Sequence, residues 1–66
     1  MDERAITFPI LADKLRPLIG KTVILFTASG RATGRLVEVT TEYAQLLDDA
    51  GIIDIVPLNT LLVVEY

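Results

Sequence analysis

The chain has 66 residues, 52% of them apolar, with a formal net charge of −3 and neither cysteine nor histidine. That length holds a single domain, residues 1–66, and a domain so small buries only about 60% of its unfolded surface, so disulfides, a metal or partner subunits commonly supply the missing stability. The absence of cysteine excludes disulfides, thiolate metal sites and cysteine nucleophiles, and the absence of histidine removes the commonest metal ligand and general base, which leaves partner subunits.

In chain order, residues 1–6 read as a polar lead. Its acidic opening, Met1-Asp2-Glu3-Arg4, is unlike the basic start of a secretory leader. No apolar run is long enough to span a bilayer, so a cytoplasmic location and no membrane partner are expected. Residues 7–19 read as helix and turn. Thr7 suits an N-cap and Pro9 a first helical turn, Ile10, Leu11, Lys14 and Leu15 follow helical spacing, and Pro17 stops the helix near Leu15 or Arg16. Gly20 supplies a turn.

Residues 21–66 read as five strands. Thr22–Ala28 is β-branched and aromatic-rich, and Ser29-Gly30 signals a hairpin. Arg31–Thr41 is a long second strand, in which Gly34 marks a bend or a close backbone approach. Tyr43–Asp48 is the third strand. After the turn Asp48-Asp49-Ala50-Gly51 comes the fourth, Ile52–Val56, and after Pro57-Leu58-Asn59 the fifth, Thr60–Glu65. The fold class is therefore mainly β: a short N-terminal helix followed by a five-stranded, strongly bent antiparallel sheet forming a small open barrel.

Charge divides the chain. Residues 1–35 hold all six basic side chains (Arg4, Lys14, Arg16, Lys21, Arg31 and Arg35), whereas residues 36–66 hold six acids and no Lys or Arg. Phosphate neutralisation by Lys and Arg drives non-specific nucleic-acid binding; this balance argues against that mode and leaves room for a local basic face.

The fourth and fifth strands are apolar on both faces: Ile52, Ile53, Ile55 and Val56 in one, Leu61, Leu62, Val63 and Val64 in the other. A half-exposed strand alternates polar and apolar residues, and a small barrel has one interior. The second face therefore meets either another subunit or the N-terminal helix through Ile10, Leu11 and Leu15. An apolar strand at a free edge also invites aggregation. These eight residues are the expected oligomer interface.

One short helix and five strands is the element order of the Sm-like (LSm/Hfq-like) family, and two stretches carry a resemblance to it. Gly30-Arg31-Ala32-Thr33-Gly34-Arg35-Leu36, followed by Val39 and Leu47, resembles the first Sm motif. Pro57-Leu58-Asn59-Thr60-Leu61 stands where the second motif places Arg-Gly-x-Asn-Val. The resemblance covers roughly residues 9–66. It implies a homo-oligomeric ring in which the fourth strand of one subunit pairs with the fifth of the next, and single-stranded RNA, often uridine- or adenosine-rich, as ligand. The family's loop between its second and third strands supplies an acidic residue, a stacking side chain and an asparagine. Here those positions hold Thr40, Tyr43 and Ala44, and Pro57-Leu58 replaces Arg-Gly.

The nucleic-acid contacts to look for are then Arg31, Arg35, Tyr43 and Asn59. Tyr43 can stack on a base or anchor the start of a strand. Arg31 and Arg35, four apart on one strand, share a face and make either an anion-binding stripe or a solvated surface with inter-subunit ion pairs. Asp48 and Asp49 suit a turn more than a divalent cation, which needs about six oxygens. Ser29, the only serine, has no histidine to activate it. No catalysis and no cofactor are expected. Two functions stand side by side: a ring that binds single-stranded RNA at a divergent site, and a structural or assembly module that keeps the ring without RNA. A monomeric adaptor that binds peptide at the edge of the fifth strand is a third.

Overall fold

In the computed structural model, which describes residues 4–66, the chain forms strands β1 (Ala5–Thr7), β2 (Thr22–Thr27), β3 (Gly30–Val39), β4 (Tyr43–Leu47), β5 (Ile53–Pro57) and β6 (Leu61–Glu65). Between β1 and β2 lie a single α-helical turn, α1 (Ala12–Leu15), and a 3-10 turn at Arg16–Leu18. All six strands form one antiparallel sheet in the order β1-β6-β2-β3-β4-β5. The sheet is open, because β1 and β5 each have one unpaired edge.

The five strands expected from sequence are present, and a sixth precedes them. Ala5–Thr7 is not a polar lead but an edge strand, with Ala5 opposite Glu65, Ile6 opposite Val64 and Thr7 opposite Val63. Met1–Glu3 lie outside the described residues. The expected N-terminal helix is not found: β1 comes first, and only the single turn α1 and its 3-10 continuation follow it, over residues 12–18. Thr7 does not cap α1, because its backbone belongs to the sheet, and Pro9 precedes the turn. The helix begins at Ala12 with Leu11 as an N-cap that makes no side-chain hydrogen bond. Ile10, Ala12, Leu15 and Leu18 are buried, so this face follows helical spacing and plugs the open side of the sheet.

Inward-facing side chains alternate along β2 and β4, skip a residue in β3 and β6 where the register slips, and meet in one cluster: Val23 and Leu25 of β2, Leu36 and Val39 of β3, Ala44 and Leu46 of β4, Val56 of β5, and Leu61 and Val64 of β6. Leu15, Leu25, Leu36, Leu46 and Leu61 are fully buried, and each contributes about 1.5–3 kcal/mol through removal of apolar surface from water. Among the described residues no polar or charged side chain is buried. The interior is therefore held by packing alone.

Two features curl the sheet around that core. At Gly34 the backbones of β3 and β4 come close: a Cβ there would lie 2.7 Å from the Leu47 carbonyl oxygen, so of the two readings of this glycine the close approach is the one found. Two residues further on, the β3–β4 register slips between Leu36 and Glu38, and a bulge of this kind increases local twist. The result measures 30 × 27 × 24 Å, nearly as deep as it is wide, whereas a flat sheet with one covered face is about 10 Å per layer.

Side-chain oxygens close the turns. Thr40 Oγ1 accepts from the Glu42 and Tyr43 amides at 3.1 and 3.0 Å. Asp48 Oδ1 accepts from the Ala50 and Ile52 amides at 2.9 and 3.0 Å, and Gly51 takes the left-handed φ of +82° that this turn requires. Thr60 Oγ1 donates to the Pro57 carbonyl at 2.7 Å.

Candidate interaction surface

Because β5 is an edge strand, its outward face has no strand beyond it. Ile53, Ile55 and Pro57 point away from the core, since Val56 between them is buried. Their register partners on β4 are Leu47, Gln45 and Tyr43, all half-buried. Together they form a mostly apolar patch on the outside of the sheet, in which Ile55 is 60% exposed and Ile53 45%. Ile52, just before the strand, is exposed as well.

A second apolar surface lies at the opposite end of the sheet. The Phe8 amide donates to the Leu62 carbonyl at 2.8 Å, which continues the β1–β6 ladder by one residue. Both side chains stand in solvent, Phe8 62% and Leu62 46% exposed, and Leu11, further along the same segment, is exposed too. Phe8 and Leu11 are absent from the surface expected from sequence. The signal at Phe8 was the β-branched and aromatic run Ile6-Thr7-Phe8 before a proline, which favours extended backbone; Leu11, expected on the helix face with Ile10 and Leu15, is instead exposed at the N-cap.

The eight residues of the expected oligomer interface thus divide. Ile52, Ile53, Ile55 and Leu62 are exposed and Val63 is half-buried, but Val56, Leu61 and Val64 face the chain's own core. The outer edge of β6, which the fifth-strand pairing would use, is occupied by β1 of the same chain.

The four expected nucleic-acid contacts are not gathered in one place. Tyr43 and Asn59 lie at one end of the sheet, where the Leu58 amide donates to the Glu42 carbonyl at 2.9 Å and joins the two loops. Thr41, Glu42, Pro57, Leu58 and Asn59 line a shallow depression there. Its charged group is the Glu42 carboxylate, and Ala44 is buried. Arg31 is exposed at the start of β3, opposite Phe26, and faces Ile55, Pro57 and Thr60 across the open seam between the β2–β3 hairpin and β5. Arg35 stands four residues along β3, about 13 Å at strand rise, in a separate groove with Thr22, Asp48 and Asp49.

Charge is polarised along the sheet order. β4, β5 and the loops that flank them hold Glu42, Asp48, Asp49 and Asp54 and no Lys or Arg of their own, with Glu38 of β3 opposite Gln45 of β4; Arg31 and Arg35 of β3 border this end. Arg4 immediately precedes β1, and Lys14, Arg16 and Lys21, with Asp13, lie in the segment joining it to β2; Glu65 of β6 stands opposite Ala5. Arg16 pairs with Asp13 at 3.0 Å.

Among the described residues no three acidic side chains come close enough to hold a metal ion, and Asp48 is engaged in its own turn. Among the same residues no helix is long and apolar enough to cross a membrane. Comparison with protein-family models, with curated proteins and with solved structures found no match.

Proposed function

We propose that this protein is a non-catalytic, Sm-like subunit that assembles head to tail with copies of itself, in a cyclic homo-oligomer, and serves as a structural or assembly module. One observation carries the reading: the open sheet has two dissimilar ends, each with exposed apolar side chains and with opposite charge. The β4–β5 end offers Ile52, Ile53 and Ile55 amid acids; the other offers Phe8, Leu11 and Leu62 beside basic residues. A two-fold contact joins a patch to itself, whereas contact between different patches propagates around a ring when the angle closes. Apolar contact supplies affinity, and the opposite charges steer the two ends together and oppose like-to-like docking. Small size adds to the case, because burying these side chains between subunits offsets the limited core of a short chain.

The test is native mass together with sedimentation over a range of protein and salt concentrations. Discrete oligomers that weaken several-fold as salt shortens the screening length to about 3 Å at 1 M are expected. A single-copy species at high micromolar concentration and low salt refutes the reading.

A second reading, binding of single-stranded RNA by the assembled subunits, is favoured by the joining of the Tyr43 and Asn59 loops at one end of the sheet. Tyr43 would stack on a base, with Asn59 hydrogen-bonding beside it and Arg31 or Arg35 reaching phosphates. The Glu42 carboxylate in that depression, and the distance of Arg35 from it, place this reading second. Anisotropy titrations with short poly-U and poly-A RNA at low salt decide it: salt-sensitive binding that Tyr43→Ala removes supports RNA recognition, and no binding by the assembled protein dismisses it.

A further inference from the structure

Resting on the head-to-tail reading, we infer that β1 is a displaceable cover for β6, and that β5 of a second copy takes its place during assembly. The first ground is how little holds β1. It is three residues long, Ala5 and Thr7 are exposed, and only Ile6 packs against the core. Short segments with few buried contacts open at the lowest cost in a folded protein.

The second ground is the match between β5 and the edge that β1 covers. The Phe8 amide donates to Leu62 and the Tyr66 amide to Arg4. By the alternation of an antiparallel ladder, Leu62 and Val64 turn their backbone groups toward β1. On β5, the bonds from the Asp48 amide to Ile52 and from the Leu58 amide to Glu42 fix the complementary alternation: Ile53 and Ile55 turn their amides and carbonyls away from β4. The two edges thus present backbone groups at the same two-residue spacing. β5 and β6 are five residues each; β1 pairs with Val63–Glu65, and the Phe8–Leu62 and Tyr66–Arg4 bonds carry its pairing one residue further at each end. Exchange of β1 for β5 therefore keeps a ladder of about the same length while it brings Ile53 and Ile55 against a neighbouring copy, and it sets the acids of β4 and β5 in one copy against the basic residues around β1 in the next.

A competing cis strand lowers apparent affinity by the fraction of chains in which it is undocked. Locking β1 in place must therefore block assembly, and weakening it must promote assembly. Ala5 and Glu65 are register partners, and by the same alternation they form the closely spaced, non-hydrogen-bonded kind of pair, within reach of a disulfide. The chain has no cysteine of its own.

The experiment compares the full-length A5C/E65C double variant, oxidised and reduced, with wild type and with Ile6→Pro by sedimentation across concentration. Ile6→Pro removes an amide that faces β6, and Thr7→Pro, which removes an outward-facing amide, is the control. Expected are a single-copy species for the oxidised pair, recovery on reduction, association about fivefold to tenfold tighter for Ile6→Pro, the order of one backbone hydrogen bond, and no change for Thr7→Pro. Thermal unfolding confirms that each variant is folded. The inference is overturned if the oxidised protein assembles like the reduced one, or if Ile6→Pro and Thr7→Pro both weaken assembly, because the neighbour then adds onto β1 itself. If wild type and the reduced variant never associate at any concentration, the head-to-tail reading fails with it, and the difference is visible in the wild-type data alone.

Discussion

Strands β5 and β6 have nearly the same composition and opposite fates. Each is five residues of mostly aliphatic side chains, and from sequence neither shows the alternation of a half-exposed strand. In the fold β6 lies between β1 and β2, and its Leu61 and Val64 are fully buried. β5 lies at the edge of the sheet, and of its isoleucines and valine only Val56 is buried. Position in the strand order, not hydrophobicity, decides which apolar strand builds the core and which is left to make contacts. An apolar run is therefore a statement of need for burial without naming the partner.

Substitutions test that contrast directly. The largest effect is expected at the core strand: Leu61→Ala removes a fully buried side chain and should cost about 2–5 kcal/mol in denaturant unfolding. A cost below about 1 kcal/mol there would show that β6 is no more structural than its neighbour. Gly34→Ala comes next. Its Cβ would meet the Leu47 carbonyl at 2.7 Å, and with backbone on both sides little can yield, so a loss of about 1–3 kcal/mol is expected from overpacking. Asp48→Ala should cost about 1 kcal/mol, the order of one net hydrogen bond, since Oδ1 serves two amides in the turn that delivers β5; amide hydrogen exchange should quicken in β5 before β6. The smallest effect on folding belongs to Ile55→Asp. At 60% exposure its monomer stability should shift by no more than about 0.5 kcal/mol. Self-association should weaken by about tenfold or more, since a buried unpaired charge is costly. If Ile55→Asp unfolds the subunit while leaving assembly intact, the contrast between the two strands is inverted.

Most of the sheet was legible in the sequence because its signals are local. Gly30, the Asp48–Gly51 turn and Pro57 punctuate runs whose boundaries the structure shifts by a residue or two, and Gly34 marks the close approach. What escaped depends on contacts distant along the chain. Ala5-Ile6-Thr7 is too short for periodicity to register, and its reason for being a strand lies in β6. The same gap displaced the helix: Thr7 resembles a cap only if the unpaired edge of β6 is ignored. Of the interaction surface, Ile53 and Ile55 could be read from the pattern. Phe8 could not be placed beside Leu62 without the fold. Arg31, Arg35, Tyr43 and Asn59 were named one by one, and sequence does not show that Arg31, Arg35 and Asn59 line three separate depressions.

The pairing of β1 with β6 also bears on the order in which the molecule takes shape. Ala5 and Glu65 are sixty residues apart (65 − 5), whereas the hairpins from β2 to β5 close over short loops. Loop closure costs more entropy as the loop lengthens, and contacts between distant residues form slowly. The segment made early by the ribosome must therefore wait for β6 to emerge and join the hairpins before it has anything to bind. In a refolding experiment the Phe8 amide should gain protection after those of β3 and β4. During that interval nascent β6 edges stand open, and neighbouring nascent chains could meet there before the subunit covers itself.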